Sequence, residues 1–262
     1  MKLRHRRIFI AAALVALTAM AALASIATAK PAPGYEDFAG CPSRAEQPFI
    51  AVCVKDEFTA GHINLGNREI PVTNPIVLRG GIEQETENFL YNAEGGIVPL
   101  RQTVPGGLIG LTGYKWLDEA VGSVSSLKLY ATVELAGQVG SQLAPTFNVP
   151  VKVHLENPFL GSGCYVGSAA SPIMLHLGYA KELGEFEEEE SREGVIKATG
   201  GVFADNTYAV PGANGCQFSY GSFHQSIDNL IDSAYALPSA AGTDSTELGY
   251  SESRVNVRFV NP

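Results

Sequence analysis

The chain has 262 residues and carries 18 Lys and Arg against 27 Asp and Glu, a formal net charge of −9. That length suffices for one large β domain or two smaller ones with a sizeable core. The acidic balance argues against nucleic acid or an anionic lipid surface as partner, because both recruit Lys and Arg.

The chain opens M-K-L-R-H-R-R, basic and without an acid, and continues in an apolar run from Ile8 to Ala24 interrupted by Thr18. Ala27-x-Ala29 then supplies the small residues that signal peptidase requires. The expectation is a signal peptide over residues 1–29, cleaved after Ala29, and a protein that is secreted or held at the cell envelope. The alternative is an uncleaved N-terminal single-pass anchor, since Ile8 to Ala29 is long enough to span a bilayer. No second apolar run of that length follows, so no membrane insertion is expected after cleavage.

Residues 30–37 read as an extended leader, and residues 38–262 as one secreted β-rich domain. Ile50–Val54 is a candidate strand. His62–Leu65, Gly66-Asn67 and Arg68–Val72 read as a hairpin with a tight turn, its second arm pushed towards a sheet edge by Pro71. Pro75–Leu78 is a further strand, ended by Gly80-Gly81. The glycine-rich Val104–Leu111 suggests a buried turn, and Tyr114–Ala120 one or two helical turns with the only Trp, Trp116, in the core.

The clearest strands follow. Leu127, Leu129, Ala131, Val133 and Leu135 alternate with Lys128, Thr132 and Glu134. Val149, Val151, Val153 and Leu155 alternate with Lys152 and His154. A period of two means one buried and one wet face, as in antiparallel sheets. Pro172–Leu177, Val202–Val210 and Arg254–Val260 complete the set. The run Glu185–Glu193 holds six carboxylates and reads as a solvated loop that repels itself open. Ile227, Leu230, Ile231 and Ala234 recur at helical spacing, with Ser226 as cap and Pro238 as stop. The fold class predicted is mainly β: an antiparallel β-sandwich or barrel-like domain with one short helix in the C-terminal half and two disulfides.

All four cysteines, Cys41, Cys53, Cys164 and Cys216, lie beyond the signal segment, and an even count in an exported chain argues for two bridges. Three pairings can be drawn; Cys41–Cys53 with Cys164–Cys216 closes the shorter loops. The spacings contain no close C-x2-4-C pair of the kind zinc requires. Cys164 stands in E-N-P-F-L-G-S-G-C-Y-V-G-S, where Gly161, Gly163 and Gly167 come close to a nucleotide loop. They are one step too wide, with Val166 in the third glycine's place, and the segment leads to a strand where a helix is needed. The glycines are therefore expected to serve a turn that brings Cys164 to its partner. No cofactor is expected.

Catalytic signatures are sparse. G-x-S-x-G and H-E-x-x-H are absent, as is the D-x-D-x-D-G calcium loop. The domain holds His62, His154, His176 and His224. His154, Glu156 and His176 would meet at a metal only if their strands paired in a suitable register, and solvent-facing histidines are the plainer reading. Asp228 and Asp232 share a helix face, and a solvent-facing acidic stripe accounts for them as well as catalysis does; Asp205 and Asn206 fit a turn or part of a calcium site, which needs six or more oxygens. No residue is assigned a catalytic, cofactor or metal role.

Several blocks resemble an uncharacterised family of secreted actinobacterial proteins: Val151–Ser168, Asp205–Cys216, Leu237–Gly242, the Cys41–Cys53 segment and the Val104-Pro-Gly-Gly-Leu block. The resemblance implies export and a disulfide-bearing domain, and no established activity. The functional expectation is a non-enzymatic binding or structural protein with a cell-envelope ligand; the alternative is a secreted hydrolase whose site is assembled from distant residues.

Overall fold

The computed structural model describes residues 31–108, 110, 124–141, 146–220 and 222–257. The signal segment, the turns at 114–120 with Trp116, and the end of the final strand fall outside them. Seventeen strands appear in chain order: β1 (Ile50–Leu65), β2 (Arg68–Pro71), β3 (Ile76–Glu83), β4 (Phe89–Leu90), β5 (Gly96–Val98), β6 (Arg101–Val104), β7 (Leu129–Leu135), β8 (Thr146–Glu156), β9 (Tyr165–Val166), β10 (Ile173–Lys181), β11 (Glu187–Glu188), β12 (Val195–Ala198), β13 (Val202–Asp205), β14 (Ala213–Asn214), β15 (Gln217–Tyr220), β16 (Phe223–Ser226) and β17 (Thr246–Asn256). Among the described residues, the α-helix is α1 (Asp228–Tyr235).

Fifteen of these strands form one antiparallel sheet whose main path runs β14-β9-β8-β10-β13-β17-β1-β3-β4, while β15 and β16 pair apart. The sheet folds its apolar face onto itself, so the fold is sandwich-like and does not close into a barrel. One wall is supplied by Phe58, Ile76, Leu78 and Leu248, the other by Val133, Val149, Val151 and Leu175, and all belong to one core. The alternating positions explain this: Val149, Val151, Val153 and Leu155 are each at most 4% exposed. At the open seam β6 lies beside β2 without backbone pairing. There the fully buried Gln102 takes the place of a ladder, accepting hydrogen bonds from the Thr73 and Asn74 N–H groups at 2.8 and 2.9 Å and donating to the Asn74 carbonyl at 2.9 Å.

Two predicted segments, Ile50–Val54 and His62–Leu65, belong to the single long strand β1. It pairs with β17 along most of its length and with β3 and β2 on its other side, shifting register around Phe58. Gly61 makes the bend tolerable: its φ is +111° and a Cβ would stand 1.8 Å from the Glu247 carbonyl oxygen. The Gly66-Asn67 hairpin forms as expected between Leu65 and Arg68. Strand β3 does not end at Gly80-Gly81 but runs through both, because the Phe89 ring and the Cys41 sulfur fill the space where their side chains would be.

Both disulfides form with the expected pairing, Cys41–Cys53 and Cys164–Cys216. The loops carrying the second bridge touch: a Cβ on Gly215 would stand 2.3 Å from the Gly163 carbonyl oxygen, so glycine there permits the approach.

Four further expectations are corrected. Part of the leader is docked: Glu36 and Asp37 enter a 3-10 turn that ends at Phe38, and the Asp37 carboxylate pairs with Arg192. The acidic run is not an open loop. It folds as the β11–β12 hairpin, and Arg192 binds Asp37 and Glu189 at 2.7 and 2.6 Å, so the repulsion is neutralised locally. In α1 the buried positions are Ile231 and Tyr235 while Leu230 is 51% exposed, and the N-cap is Ile227, not Ser226. Asp228 and Asp232 do not form a solvent stripe; they accept the Cys216 and Ala213 N–H groups, each at 2.6 Å, and tie the helix to the bridged loop.

Candidate functional site

The polar face of β7–β8–β9, with Arg101 from β6, brings together a histidine, two carboxylates and two cations. Register does the work. Thr132 opposes His154, Glu134 opposes Lys152, Tyr130 opposes Glu156, and on the other edge His154 opposes Tyr165. Since strand side chains alternate, these residues all point away from the core. Strand β6 adds Arg101 opposite Thr132.

His154 sits at the centre. Its Nδ1 lies 3.8 Å from both Glu134 and Glu156, and its ring stacks on Tyr165 with centroids 4.5 Å apart. Its Nε2 is buried and makes no hydrogen bond within the protein. Lys152 binds Glu134 at 3.0 Å and lies 4.2 Å from the Tyr165 ring centroid, a cation–π contact. Arg101 forms an ion pair with Glu156 and stands over the Tyr130 ring, 5.7 Å from its centroid. Thr132 was expected on the wet face but is buried, because its hydroxyl donates to Glu156 at 2.7 Å beneath the Arg101 pair.

Burial works to raise the Glu156 carboxyl, but the Thr132 hydroxyl and the Arg101 guanidinium outweigh it and hold the group below the usual carboxylate value. Glu156 is thus a fixed carboxylate, suited to accepting hydrogen bonds more than to giving up a proton.

A cleft of ≈ 420 Å³ opens beside this face. It is lined by Arg101, Tyr130, His154 and Glu156, by the apolar Pro158 and Leu160, and by Ser125 and Ser162. The glycine-rich loop after β8 shapes its far side. Asn157 anchors that loop by donating to the Ser126 and Lys128 carbonyls at 2.9 and 2.7 Å.

The His154–Glu156–His176 arrangement weighed for a metal does not assemble. Strands β8 and β10 do pair, but His176 opposes Asn148, six positions along β8 from His154. His176 is instead half exposed beside Asp205, whose buried carboxylate accepts the backbone N–H of His176 at 2.6 Å and the Thr207 backbone N–H and hydroxyl at 2.8 and 2.7 Å. These bonds make Asp205 the brace of the turn after β13, in line with its reading as a turn residue. Among the described residues, no group of three or more His, Cys, Asp or Glu side chains is arranged to hold a metal ion. None of the helices there is long and apolar enough to cross a membrane.

Fold and site together define a disulfide-bonded, mainly antiparallel β protein with a polar cleft on one sheet face. No protein-family model matches the chain, and no curated protein matches its sequence.

Proposed function

We propose that this is an exported protein, cleaved after Ala29 and belonging with the secreted actinobacterial proteins it resembles, that binds a neutral, polyhydroxylated ligand of the cell envelope, of saccharide type, in the β7–β8 cleft. The observation that carries this reading is the Arg101–Glu156 pair on the cleft wall beside Tyr130. The pair presents donors and acceptors side by side while its charges cancel, so it favours a ligand rich in hydroxyls over a strongly charged one. Tyr130, Pro158 and Leu160 offer the apolar surface against which a sugar ring packs. The cleft volume lies within the range of ~300–1,000 Å³ usual for small-molecule sites. Two disulfides accord with an oxidising compartment.

Calorimetric titration with a panel of soluble oligosaccharides released from envelope glycans tests the reading. Saturable binding that is lost in Arg101→Ala, with the unfolding midpoint unchanged, is the expected result; Arg101 is 63% exposed and its removal leaves the core intact. Absence of binding across the panel, or binding indifferent to Arg101→Ala, rejects it. Turnover of a bound oligosaccharide would assign the cleft to a hydrolase instead. Mass measurement of the protein collected outside the cell checks cleavage after Ala29.

A further inference from the structure

A second recess lies where β1, β10, β13 and β17 meet the loop leading to β11. Its volume is ≈ 130 Å³. The rings of Phe203 and Tyr250 form its floor, 5.0 Å apart, and Tyr179 stands 4.4 Å from Phe203 at the mouth. Across the opening stands Phe186, 61% exposed, while Tyr179 is 38% exposed. A lone exposed aromatic is ordinary. Two at the mouth of one recess, continuous with a buried aromatic floor, form an apolar vestibule.

The recess also contains a carboxylate. Asp56 is 5% exposed and accepts a hydrogen bond from the Ser253 hydroxyl at 2.6 Å. Its charge is felt by the walls: burial first, and then Asp56, push the Tyr179 and Tyr250 phenols above their ordinary value. Both phenols therefore stay neutral; Phe203 and Tyr250 are packed among rings, and the exposed aromatic surface at the recess is that of Tyr179 and Phe186.

We propose that this recess binds an alkylammonium group. Aromatic faces attract a cation through the ring quadrupole, most strongly when the site is dry, and a carboxylate at the base adds a matching charge. The size fits, since a cavity of ~150 Å³ holds a molecule as large as benzene. A free amine and the headgroup of a choline lipid share this chemistry.

The test uses choline and its neutral isostere 3,3-dimethyl-1-butanol, titrated separately into the intact protein by calorimetry. Choline is expected to bind saturably and the isostere at least about tenfold more weakly, the upper range of a dry cation–π contact. Phe186→Ala, which touches only the rim, is expected to weaken choline about threefold or more without lowering the unfolding midpoint. Should Asp56→Asn fail to fold, the isostere and the rim variant still decide. Flotation with phosphatidylcholine vesicles that free choline competes away assigns the site to a lipid headgroup; choline binding without flotation assigns it to a free amine. Equal affinity for the two probes, or no saturation with choline up to about 50 mM, well above the affinity such contacts give, overturns the proposal.

Discussion

The side-chain amide of Gln102 faces the backbone of Asn74 as a neighbouring strand would: its oxygen accepts the Asn74 N–H and its nitrogen donates to the Asn74 carbonyl, both at 2.9 Å. One side chain thereby joins the seam that backbone pairing leaves open. Gln102→Leu keeps the volume and removes every one of these bonds. We expect a loss of about 1–3 kcal/mol in urea unfolding, the cost of breaking bonds around a buried polar position. A loss below about 0.5 kcal/mol would mean that water or β6 itself holds the seam.

Arg192 donates to both oxygens of Asp37, at 2.7 and 2.9 Å, and to Glu189 at 2.6 Å, and Arg254 reaches the same two carboxylates. Arg192's hydrogen bond, against the opposing pull of burial, sets the Glu189 carboxyl below its ordinary 4.5. A carboxyl depressed on folding contributes stability that is fully present above that value and fades as pH falls through it towards the folded-state pKa. Arg192→Met should therefore cost about 1–2 kcal/mol at pH 7, more than an exposed pair would. It should also flatten the decline in stability below pH 4.5. Denaturant melts at pH 7, 4.5 and 3 read both effects; parallel curves for the two proteins would contradict the linkage.

Much of the architecture is legible in the sequence where one face of a strand is buried. Val149–Leu155 and Leu129–Val133 announce themselves because an apolar residue recurs at every second position and each of these is buried. The two-residue strands β9, β11 and β14 do not, since they exist only through register with a neighbour. Gly80 and Gly81 look like a stop because a sequence cannot say that a phenylalanine ring and a sulfur will occupy the missing side-chain space. The site divides the same way. His154 and Glu156 share a face by simple alternation, whereas Arg101 comes from a strand some fifty positions earlier, and its pairing with Glu156 depends on β6 lying beside β7. His176 lies on the exposed face of β10 as the alternation implies, and β10 does pair with β8, yet register sets it opposite Asn148, a pairing the sequence leaves open.

The Cys164–Cys216 bridge spans 52 residues, and closing a loop of that length in the unfolded chain is worth about 4 kcal/mol in the chain-entropy account. The double variant Cys164→Ser/Cys216→Ser should lose most of that in equilibrium unfolding. The shorter Cys41–Cys53 loop, spanning 12, should yield about 3 kcal/mol. If the order of the two losses is reversed, the native contacts around the sulfurs outweigh loop closure.

Tyr208 is buried, its hydroxyl lying 2.9 and 2.8 Å from the Asn64 and Ser245 carbonyls while the Thr246 hydroxyl donates to it at 2.9 Å. It thus ties the end of β1 to the start of β17. Tyr208→Phe leaves the ring in place and strands those partners, for an expected cost of about 1–3 kcal/mol. Faster amide exchange at Asn64 and Thr246, relative to the core of β8, would localise the damage; uniform exchange would show that the network is dispensable.

Strand β17 touches β1 along nearly its whole length and meets β13 and β12 in turn on its opposite edge. It comes late in the chain, and the Ser253 hydroxyl that meets Asp56 is 197 positions from it. During synthesis β1 must therefore wait for almost the entire polypeptide before its longest partner exists, with its apolar edge meanwhile open to mispairing. A chain interrupted ahead of Thr246 would lack the piece on which three other strands converge and should collect as aggregate, not as a shortened but working domain.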